Sequence, residues 1–372
     1  MKQTIGLGLL VLVLGMTLFA SPAPPKELHD IYLGWKVWID DTLNIYSNIN
    51  EHQIAKYSPT GERLLVIGRK GEGPGDIKRF GGMAINPNDN LLYVTEFFGG
   101  NKRISVFSPQ DGTFVKTWPC QLDFKKWPGV SKIQFDEKGN VYVQVGEFTY
   151  RKHPNFEVGV YERVLFKFDP TGKTIKELFR HKADSSAYRD KKGHPNIPYQ
   201  NYMEWTIHQD KLYVRESRAK HISVLTLDGT PVKKIPLPFE RELVTQQDKD
   251  AWETLQRSYP LIRQGIAQGW YDMKFWRKHL PFPEYKTIST GPMFFGPHNT
   301  LYSKKISKTF DSDENIYSVI SLDTGKTDIR RFPPNHSLRA VKNGNFYFRV
   351  RNEDDEDILK IMTFEELQKK NI

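Results

Sequence analysis

The sequence predicts an all-β protein in which a unit of four short antiparallel strands is repeated six times. Three observations lead to this prediction. A strand with the pattern apolar-Tyr-x-polar recurs six times, a tight turn precedes most copies, and in five units a second hairpin follows in the same order. Strands repeated in this way are typical of propeller blades, so we predict a six-bladed β-propeller.

Each predicted blade is supported by its turn residues and by one tyrosine. The turns are rich in Asp, Asn, Gly and Pro, which tight turns require. The aligned tyrosines are Tyr46, Tyr93, Tyr142, Tyr213, Tyr302 and Tyr347. The second hairpins turn at Gly61, Gly112, Gly172, Gly229 and Gly325. Because the sixth unit lacks a clear fourth strand, we expect the segment His29–Leu33 to supply it and close the ring.

The N-terminus has the features of a targeting segment. Lys2 precedes an uncharged apolar run from Ile5 to Ala20, and prolines at positions 22, 24 and 25 stop any helix. A helix of that length spans about 24 Å, short of the roughly 30 Å hydrocarbon core. We expect residues 1–20 to be a signal peptide, with an N-terminal signal anchor as the alternative. Residues 21–30 would be a linker and residues 31–372 the propeller.

Composition narrows the classes of partner. The 372 residues carry 54 Lys and Arg against 44 Asp and Glu, a net charge of +10. A single cysteine, Cys120, excludes an intrachain disulfide framework and any zinc site built on several cysteines. The positive charge favours anionic partners, and export argues against nucleic acid. We expect a monomer that binds a protein, an anionic small molecule or a glycan, and that spans no membrane apart from any N-terminal anchor.

The local motifs resemble a known family. The loop GRKGEGPGDIKRF, Gly68–Phe80, followed by MAINPNDNLLYV and RISVFSPQDG, resembles the NHL-like or TolB-like propellers, in particular the bacterial secreted six-bladed family. The match is clear over three units, looser in the fourth and weak in the last two. The resemblance implies a secreted or periplasmic bacterial protein, but members are generally of uncharacterised function. The loop lacks the Gly-Lys-Ser/Thr ending of a phosphate-binding loop, and we expect Gly71, Gly73 and Gly75 to permit a tight crossover.

Chain order predicts which face of the disk carries function. In a four-stranded blade, the second connection and the crossover to the next blade lie on one face, and we call this the long-loop face. It receives all the long connections: Gly68–Gly82, Thr95–Lys102, Val145–Arg163, Phe179–Tyr202 and Ser303–Asn315. Function tends to sit on such loops. The alternative is that these connections carry no function.

An insertion at about 239–285, between blades four and five, joins the same face. It combines helical spacing with many aromatic rings, and we interpret it as helical. The residues concerned are Trp252, Leu255, Tyr259, Trp270, Tyr271, Phe275 and Trp276. These side chains either pack the helices onto the propeller or form a lid or partner surface, and exposure of more than half of them would favour the second interpretation.

A polar residue follows each aligned tyrosine by two positions. These candidate ligand-binding residues are Asn48, Thr95, Gln144, Arg215, Lys304 and Arg349. If they face the central channel, the three cations among them form an electropositive funnel suited to a carboxylate, phosphate or sulfate. The alternative is that they point between blades and pair with acids such as Glu96 or Glu216.

No catalytic constellation stands out in the sequence, which has no His-Glu-x-x-His and no Gly-x-Ser-x-Gly motif. Some six-bladed relatives are metal-dependent lactonases or lyases. The candidates for such a site, with a divalent metal such as calcium, are Glu96, Glu147, Glu204 and Asn201. We therefore favour a non-catalytic binding or scaffold module without a cofactor, with its partner on the long-loop face. The alternative is a channel-centred, metal-dependent hydrolase or lyase.

Overall fold

The computed structural model describes residues 27–369, apart from residues 30, 32, 35, 98–99, 128, 189–194, 199, 281, 306–314 and 353–355. The predicted signal segment and most of the predicted linker lie outside this range. The described strands form six four-stranded antiparallel sheets, so the prediction of a six-bladed propeller is confirmed. None of the described helices has the length and apolar character needed to cross a membrane.

The first three blades follow the chain. A short strand, β1 (Glu27–Leu28), precedes them. Blade one contains β2 (Val37–Ile39), β3 (Ile45–Asn48), β4 (Ile54–Tyr57) and β5 (Arg63–Ile67). Blade two contains β6 (Phe80–Ile85), β7 (Leu92–Glu96), β8 (Ile104–Phe107) and β9 (Phe114–Thr117). Blade three contains β10 (Gly129–Phe135), β11 (Val141–His153), β12 (Phe156–Phe168) and β13 (Thr174–Tyr188).

The last three blades have the same order, with the first strand of each sheet nearest the channel. Blade four contains β14 (Met203–His208), β15 (Lys211–Glu216), β16 (His221–Thr226) and β17 (Pro231–Pro236). Helices α1 (Gln246–Ser258), α2 (Pro260–Ala267) and α3 (Met273–His279) follow. Blade five contains β18 (Ser289–Gly296), β19 (Thr300–Lys305), β20 (Asn315–Ser321) and β21 (Thr327–Phe332). Blade six contains β22 (His336–Lys342), β23 (Asn345–Arg351) and β24 (Asp357–Thr363), and α4 (Phe364–Lys369) ends the described chain.

The ring is closed by the N-terminal strand. In the ladder between β1 and β24, Leu28 lies opposite Leu359 and Glu27 opposite Lys360. The prediction of N-terminal closure is therefore correct, but the strand begins two residues before His29. The segment after it serves the core instead, because Ile31 and Leu33 are buried in the same cluster as Leu28.

The recurring tyrosine joins each blade to the next. All six tyrosines are buried, and each belongs to a core cluster that contains residues of the following blade. In blades one to three, the hydroxyl also donates to an aspartate of the preceding turn. Those pairs are Tyr46 with Asp40, Tyr93 with Asp89, and Tyr142 with Asp136. Each repeated tyrosine therefore buries its ring against the next blade, and in blades one to three its hydroxyl also fixes the turn of its own blade.

The crossover between blades one and two is held by its own side chains. Asp76 accepts hydrogen bonds from Arg69 Nε at 2.6 Å and from the Gly73 amide at 2.9 Å. Gly75 has a φ of 78°, in the left-handed region that favours glycine, whereas Gly73 does not have a positive φ. The glycine-rich loop is thus an ordered crossover.

Two of the predicted long loops contain long stretches of strand, which corrects the sequence interpretation. The connections Val145–Arg163 and Phe179–Tyr202 contain the outer parts of β11, β12 and β13, which pair in register far beyond the lengths of the other blades. Hydrogen-bonded strands satisfy the backbone groups that a projecting loop would expose. We call residues 145–163 and 179–188 the blade-three extension.

The helical insertion packs against this extension. Trp252, Tyr271 and Trp276 are buried in one cluster with Phe156 and Val158 of β12. Of the seven predicted contact residues, only Tyr259 and Trp270 are exposed, and Leu255 and Phe275 are partly buried. Fewer than half are exposed, so packing onto the propeller is the favoured interpretation.

Candidate functional site

Three of the six predicted ligand-binding residues reach the first strand of the next blade. Thr95 Oγ1 donates to the carbonyl oxygen of Val130 at 3.2 Å. Gln144 Oε1 accepts from Trp205 Nε1 at 2.9 Å. Arg215 donates to the carbonyl oxygen of Gly291 in the first strand of blade five, and to Ser303 Oγ in its second strand at 2.7 Å. These three side chains therefore point from one blade toward the next, on the channel side of the blades.

The other three bond within their own blades. Asn48 Oδ1 accepts from the Lys36 amide at 3.0 Å, and Lys304 Nζ donates to Asn315 Oδ1 at 2.7 Å. Arg349 is paired with Asp357. The six residues are thus not gathered at one point. Gln144 and Arg215, however, both line one cavity at the mouth of the channel.

This channel-mouth cavity has a volume of about 230 Å³ and lies on the long-loop face. The blade-three extension contributes Tyr161 and Arg163, and the segment entering blade four contributes Tyr202 and Glu204. The cavity therefore lies where the extension approaches the inner ends of blades three to five. Its walls combine aromatic rings with charged side chains.

Arg163 is the most distinctive group of the cavity. The centre of its guanidinium lies 4.2 Å from the ring centroid of Tyr161 and 4.9 Å from that of Tyr202. Burial lowers the pKa of Arg163, an effect opposed by the two tyrosines and by Glu204. Within the described part of the chain, its side chain forms neither a hydrogen bond nor an ion pair, so its N–H donors are available to a ligand.

Arg215 supplies a second, buried cation. It is only 1% exposed and donates to the carbonyl oxygen of Gly291 at 2.5 Å, in addition to Ser303. Burial lowers its pKa to about 10, so it remains charged at neutral pH. Its Nε has no hydrogen-bond partner among the described residues. The cavity thus contains a guanidinium without a counterion in contact, which favours an incoming anion.

The acid of the cavity, Glu204, is already neutralised. It forms an ion pair with Lys132, which also donates to the carbonyl oxygen of Trp205. Burial raises the pKa of Glu204, but Lys132, Lys36 and Arg215 together hold it below the ordinary value. Glu204 therefore stays a carboxylate whose charge these cations outweigh.

Lys36 brings a further cation from the opposite side of the ring. Desolvation and the nearby Lys132 lower its pKa, whereas Glu204 raises it. Lys36 precedes the first strand of blade one, and Glu204 lies on the first strand of blade four. Blades one and four are opposite in a ring of six, so these charges interact across the channel. Among these interacting groups, three cations stand against one carboxylate.

The four residues predicted for a metal site lie in different surroundings. Glu96 Oε2 accepts from three backbone amides, those of Lys78, Arg79 and Asn101. Asn201 Oδ1 accepts from the Arg218 amide at 3.1 Å. Glu147 lies opposite Glu162 in the blade-three extension.

Glu204 is the one of the four that lines the channel-mouth cavity. Across the described residues, no three His, Cys, Asp or Glu side chains come close enough to hold a metal ion. Among the described residues, the three predicted acids Glu96, Glu147 and Glu204 therefore belong to no such group.

The sequence does not single out Tyr161, Arg163 or Tyr202. All three fall in segments that its pattern predicts to be long loops. The alternating pattern of FEVGVYERVLFKF, residues 156–168, could have indicated a strand in which Tyr161 and Arg163 share a face. Nothing in the sequence indicates that Tyr202, from the next crossover, reaches the same guanidinium.

Comparison with known proteins supports the fold. No family model matches the sequence, and no curated protein does so. A member of the DUF4221 family from Bacteroides vulgatus is similar over 91% of this chain and 98% of its own, at 10% identity and a TM-score of 0.53.

Two further solved structures align over most of the chain. A candidate exported protein from Bacteroides fragilis aligns over 91% of this chain and 94% of its own, with 12% identity and a TM-score of 0.49. The calcium-binding protein regucalcin from Agrobacterium tumefaciens aligns over 90% and 93%, with 11% identity and a TM-score of 0.42. At these identities the likeness concerns the fold alone. The chain is a propeller by structure, and the resemblance to the NHL-like family stays a prediction.

Proposed function

We propose that this protein is an exported, non-catalytic binding module that holds a small anionic ligand in the channel-mouth cavity. One observation carries the proposal: Arg163 lies against two tyrosine rings, lines the cavity and pairs with no described residue. Desolvating a cation without a partner costs free energy, and a bound carboxylate or phosphate would offset that cost. The proposal of export rests on the apolar run from Ile5 to Ala20.

The balance of charge supports an anion. Lys36, Lys132, Arg163 and Arg215 surround a single carboxylate, that of Glu204. In a partly enclosed site such an excess of positive charge attracts anions more strongly than it would on an open surface. The proposed anion site is smaller than the predicted electropositive funnel. Of the six residues predicted for that funnel, it includes Arg215 and Gln144.

The walls and the volume restrict the ligand further. About 230 Å³ suits a compact molecule rather than a polymer chain. The rings of Tyr161 and Tyr202 offer flat apolar surface next to the guanidinium, whereas Gln144 and Ser131 offer polar contacts. A carboxylate or phosphate on a small ring, such as an acidic monosaccharide, combines the features that these walls would recognise.

The positions of the acids favour binding over the hydrolase or lyase alternative. A metal-assisted reaction needs oxygen ligands that converge. Glu204 is committed to Lys132, and Glu96 is committed to backbone amides. Among the described residues, neither carboxylate belongs to a group of three acid, histidine or cysteine side chains that could hold a metal ion.

The test is a ligand screen with matched variants of the full chain. Thermal shift followed by calorimetry would use small carboxylates, phosphates, sulfates and acidic monosaccharides at low ionic strength. Arg163→Met keeps an apolar stem but removes the charge, and Arg331→Met removes an exposed arginine from the outer strand of blade five. We expect Arg163→Met to weaken binding roughly tenfold or more, and Arg331→Met to leave it unchanged.

Two outcomes would contradict the proposal. One is a ligand that binds both variants equally, which would place binding elsewhere. The other is a metal-dependent signal that is lost in Glu204→Gln but kept in Arg163→Met, which would favour the enzyme alternative.

A further inference from the structure

A second cavity, of about 630 Å³, lies on the face of the disk opposite the long-loop face. We call it the α4 groove. Three elements form it: the turn between β18 and β19, the turn between β22 and β23, and helix α4. The structure describes every residue of its lining, and none of them lines the channel-mouth cavity. The lining includes His298, Asn343, Asn345, Phe364, Glu365 and Gln368.

Helix α4 is fixed to the propeller, so the groove is preformed. Thr363 begins the helix with a capping box: its Oγ1 accepts from the Glu366 amide at 3.2 Å, and Glu366 Oε2 accepts from the Thr363 amide at 3.0 Å. The Phe364 amide donates to the carbonyl oxygen of Gly344 at 3.2 Å, and Leu367 is buried in a core cluster of blades five and six. A ligand would therefore not have to order this helix, which lowers the free-energy cost of binding.

The polar wall of the groove is mostly uncharged. Asn343, Asn345 and Gln368 bring three carboxamides, each with two N–H donors and one carbonyl acceptor. None of these three side chains forms a hydrogen bond with any described residue, so their donors and acceptors are available to a ligand. Glu365 adds a carboxylate that accepts hydrogen bonds, and the lining contains no lysine or arginine. The groove therefore lacks the positive charge of the channel-mouth cavity and favours a neutral ligand that both donates and accepts.

An aromatic ring lies beside these polar groups. Phe364 is partly buried, and its ring centroid lies 6.4 Å from that of Phe346 and 5.4 Å from that of His298. Arg330 contacts the same ring but is not part of the lining. Flat apolar surface next to donors and acceptors matches a sugar, because a sugar ring carries C–H bonds on its faces and hydroxyl groups around its edge.

We propose that the α4 groove binds a neutral saccharide, with hydroxyl groups bonded to the carboxamides and the sugar ring against Phe364. The volume of the groove lies within the roughly 300–1,000 Å³ of small-molecule sites. A saccharide is favoured over an extended peptide, because the strands that reach the groove, β23 and β24, are each paired on both sides and cannot take up another strand. Binding here does not depend on the ligand proposed for the channel-mouth cavity, and the two proposals can fail independently.

The experiment is titration of the full chain with maltose, cellobiose and N-acetylglucosamine, monitored by saturation-transfer NMR and by calorimetry. We expect saturable binding of at least one of these neutral sugars. Asn343→Gly removes one carboxamide without straining the backbone, since Asn343 has a left-handed φ of 49° that glycine adopts readily. This substitution should weaken binding roughly threefold to tenfold, and so should Gln368→Ala.

Each variant has a matched control. Asn90→Gly changes a residue with a similar φ of 53° in the corresponding turn of blade two, and Lys369→Ala changes the neighbour of Gln368, which is outside the lining. Both controls should bind sugar as the wild type does, and so should Arg163→Met. The proposal would be overturned by no saturable binding of any of the three sugars, by equal affinities in Asn343→Gly and Asn90→Gly, or by loss of sugar binding in Arg163→Met. Binding of tetraglycine without a response to the sugars would overturn it as well, because the groove would then be a peptide site.

Discussion

Replacing Trp276 by alanine should release the helical insertion without unfolding the propeller. Trp276 is fully buried, and its ring packs edge-on against Phe156 of the blade-three extension, with centroids 5.7 Å apart. The cluster around it contains residues of the extension, of the crossover that follows it and of the insertion. Its loss therefore removes contacts that hold the insertion to the extension, while the contacts between blades remain.

The size of the effect follows from burial. Truncation of a fully buried tryptophan to alanine costs about 3–5 kcal/mol, which corresponds to an increase of roughly a hundredfold to several thousandfold in the population of the opened insertion. Trp270 provides the matched control, because it lies in the same insertion but is 37% exposed. Trp270→Ala should cost less, about 1–2 kcal/mol, because more than a third of its side chain is already in water.

Hydrogen exchange measured by mass spectrometry separates local from global opening. In Trp276→Ala, amides of α1, α2 and α3 should exchange faster, whereas amides of β3, β7 and β15 should keep their wild-type rates. Equal acceleration in all six blades would refute the reasoning, since the insertion would then be part of a single cooperative unit. Unchanged exchange in the helices would refute it equally.

Two shorter predictions concern titratable groups. Lys132 holds the pKa of Glu204 below its ordinary value despite burial. The stabilisation from this carboxylate is therefore present at neutral pH and is lost as the pH falls below about 4.3, the pKa of an unfolded glutamate. The melting temperatures of wild type and Glu204→Gln should converge below that pH, and a constant difference between them would contradict this prediction. Burial raises the pKa of Cys120 to about 12. At pH 8, alkylation of this thiol by iodoacetamide should therefore be roughly a thousandfold slower in the folded than in the unfolded chain. Equal alkylation rates would be inconsistent with the structure.

The fold was predictable because its main packing contact repeats. Tyr46 packs against blade two, and its hydroxyl reaches Asp40 in the turn before it. The packing of the ring and the bond to the turn both produce a sequence pattern, since each unit must supply the same ring next to a similar turn. A one-dimensional pattern of this kind survives even where the units differ in length.

The site was predictable only in part. The positions of Gln144 and Arg215 follow from the repeat, because equivalent residues of a blade occupy equivalent places. Arg163 belongs to an extension found in one blade, and its surroundings depend on Tyr202 from the following crossover. Contacts between irregular segments leave no periodic signal, so the residue that carries the proposed function could not be derived from the repeat.

Closure of the ring by β1 has a consequence for the order of folding. The side chains of Glu27 and Lys360 meet although they are 333 positions apart in the chain. During synthesis, the early blades can form from neighbouring hairpins, but blade six cannot be completed until β24 pairs with β1, which is made long before it. The entropy of closing a long loop grows slowly, by about 0.6 kcal/mol per doubling of length. The delay is therefore mainly kinetic, and we expect β1 to be the last of the described strands to pair.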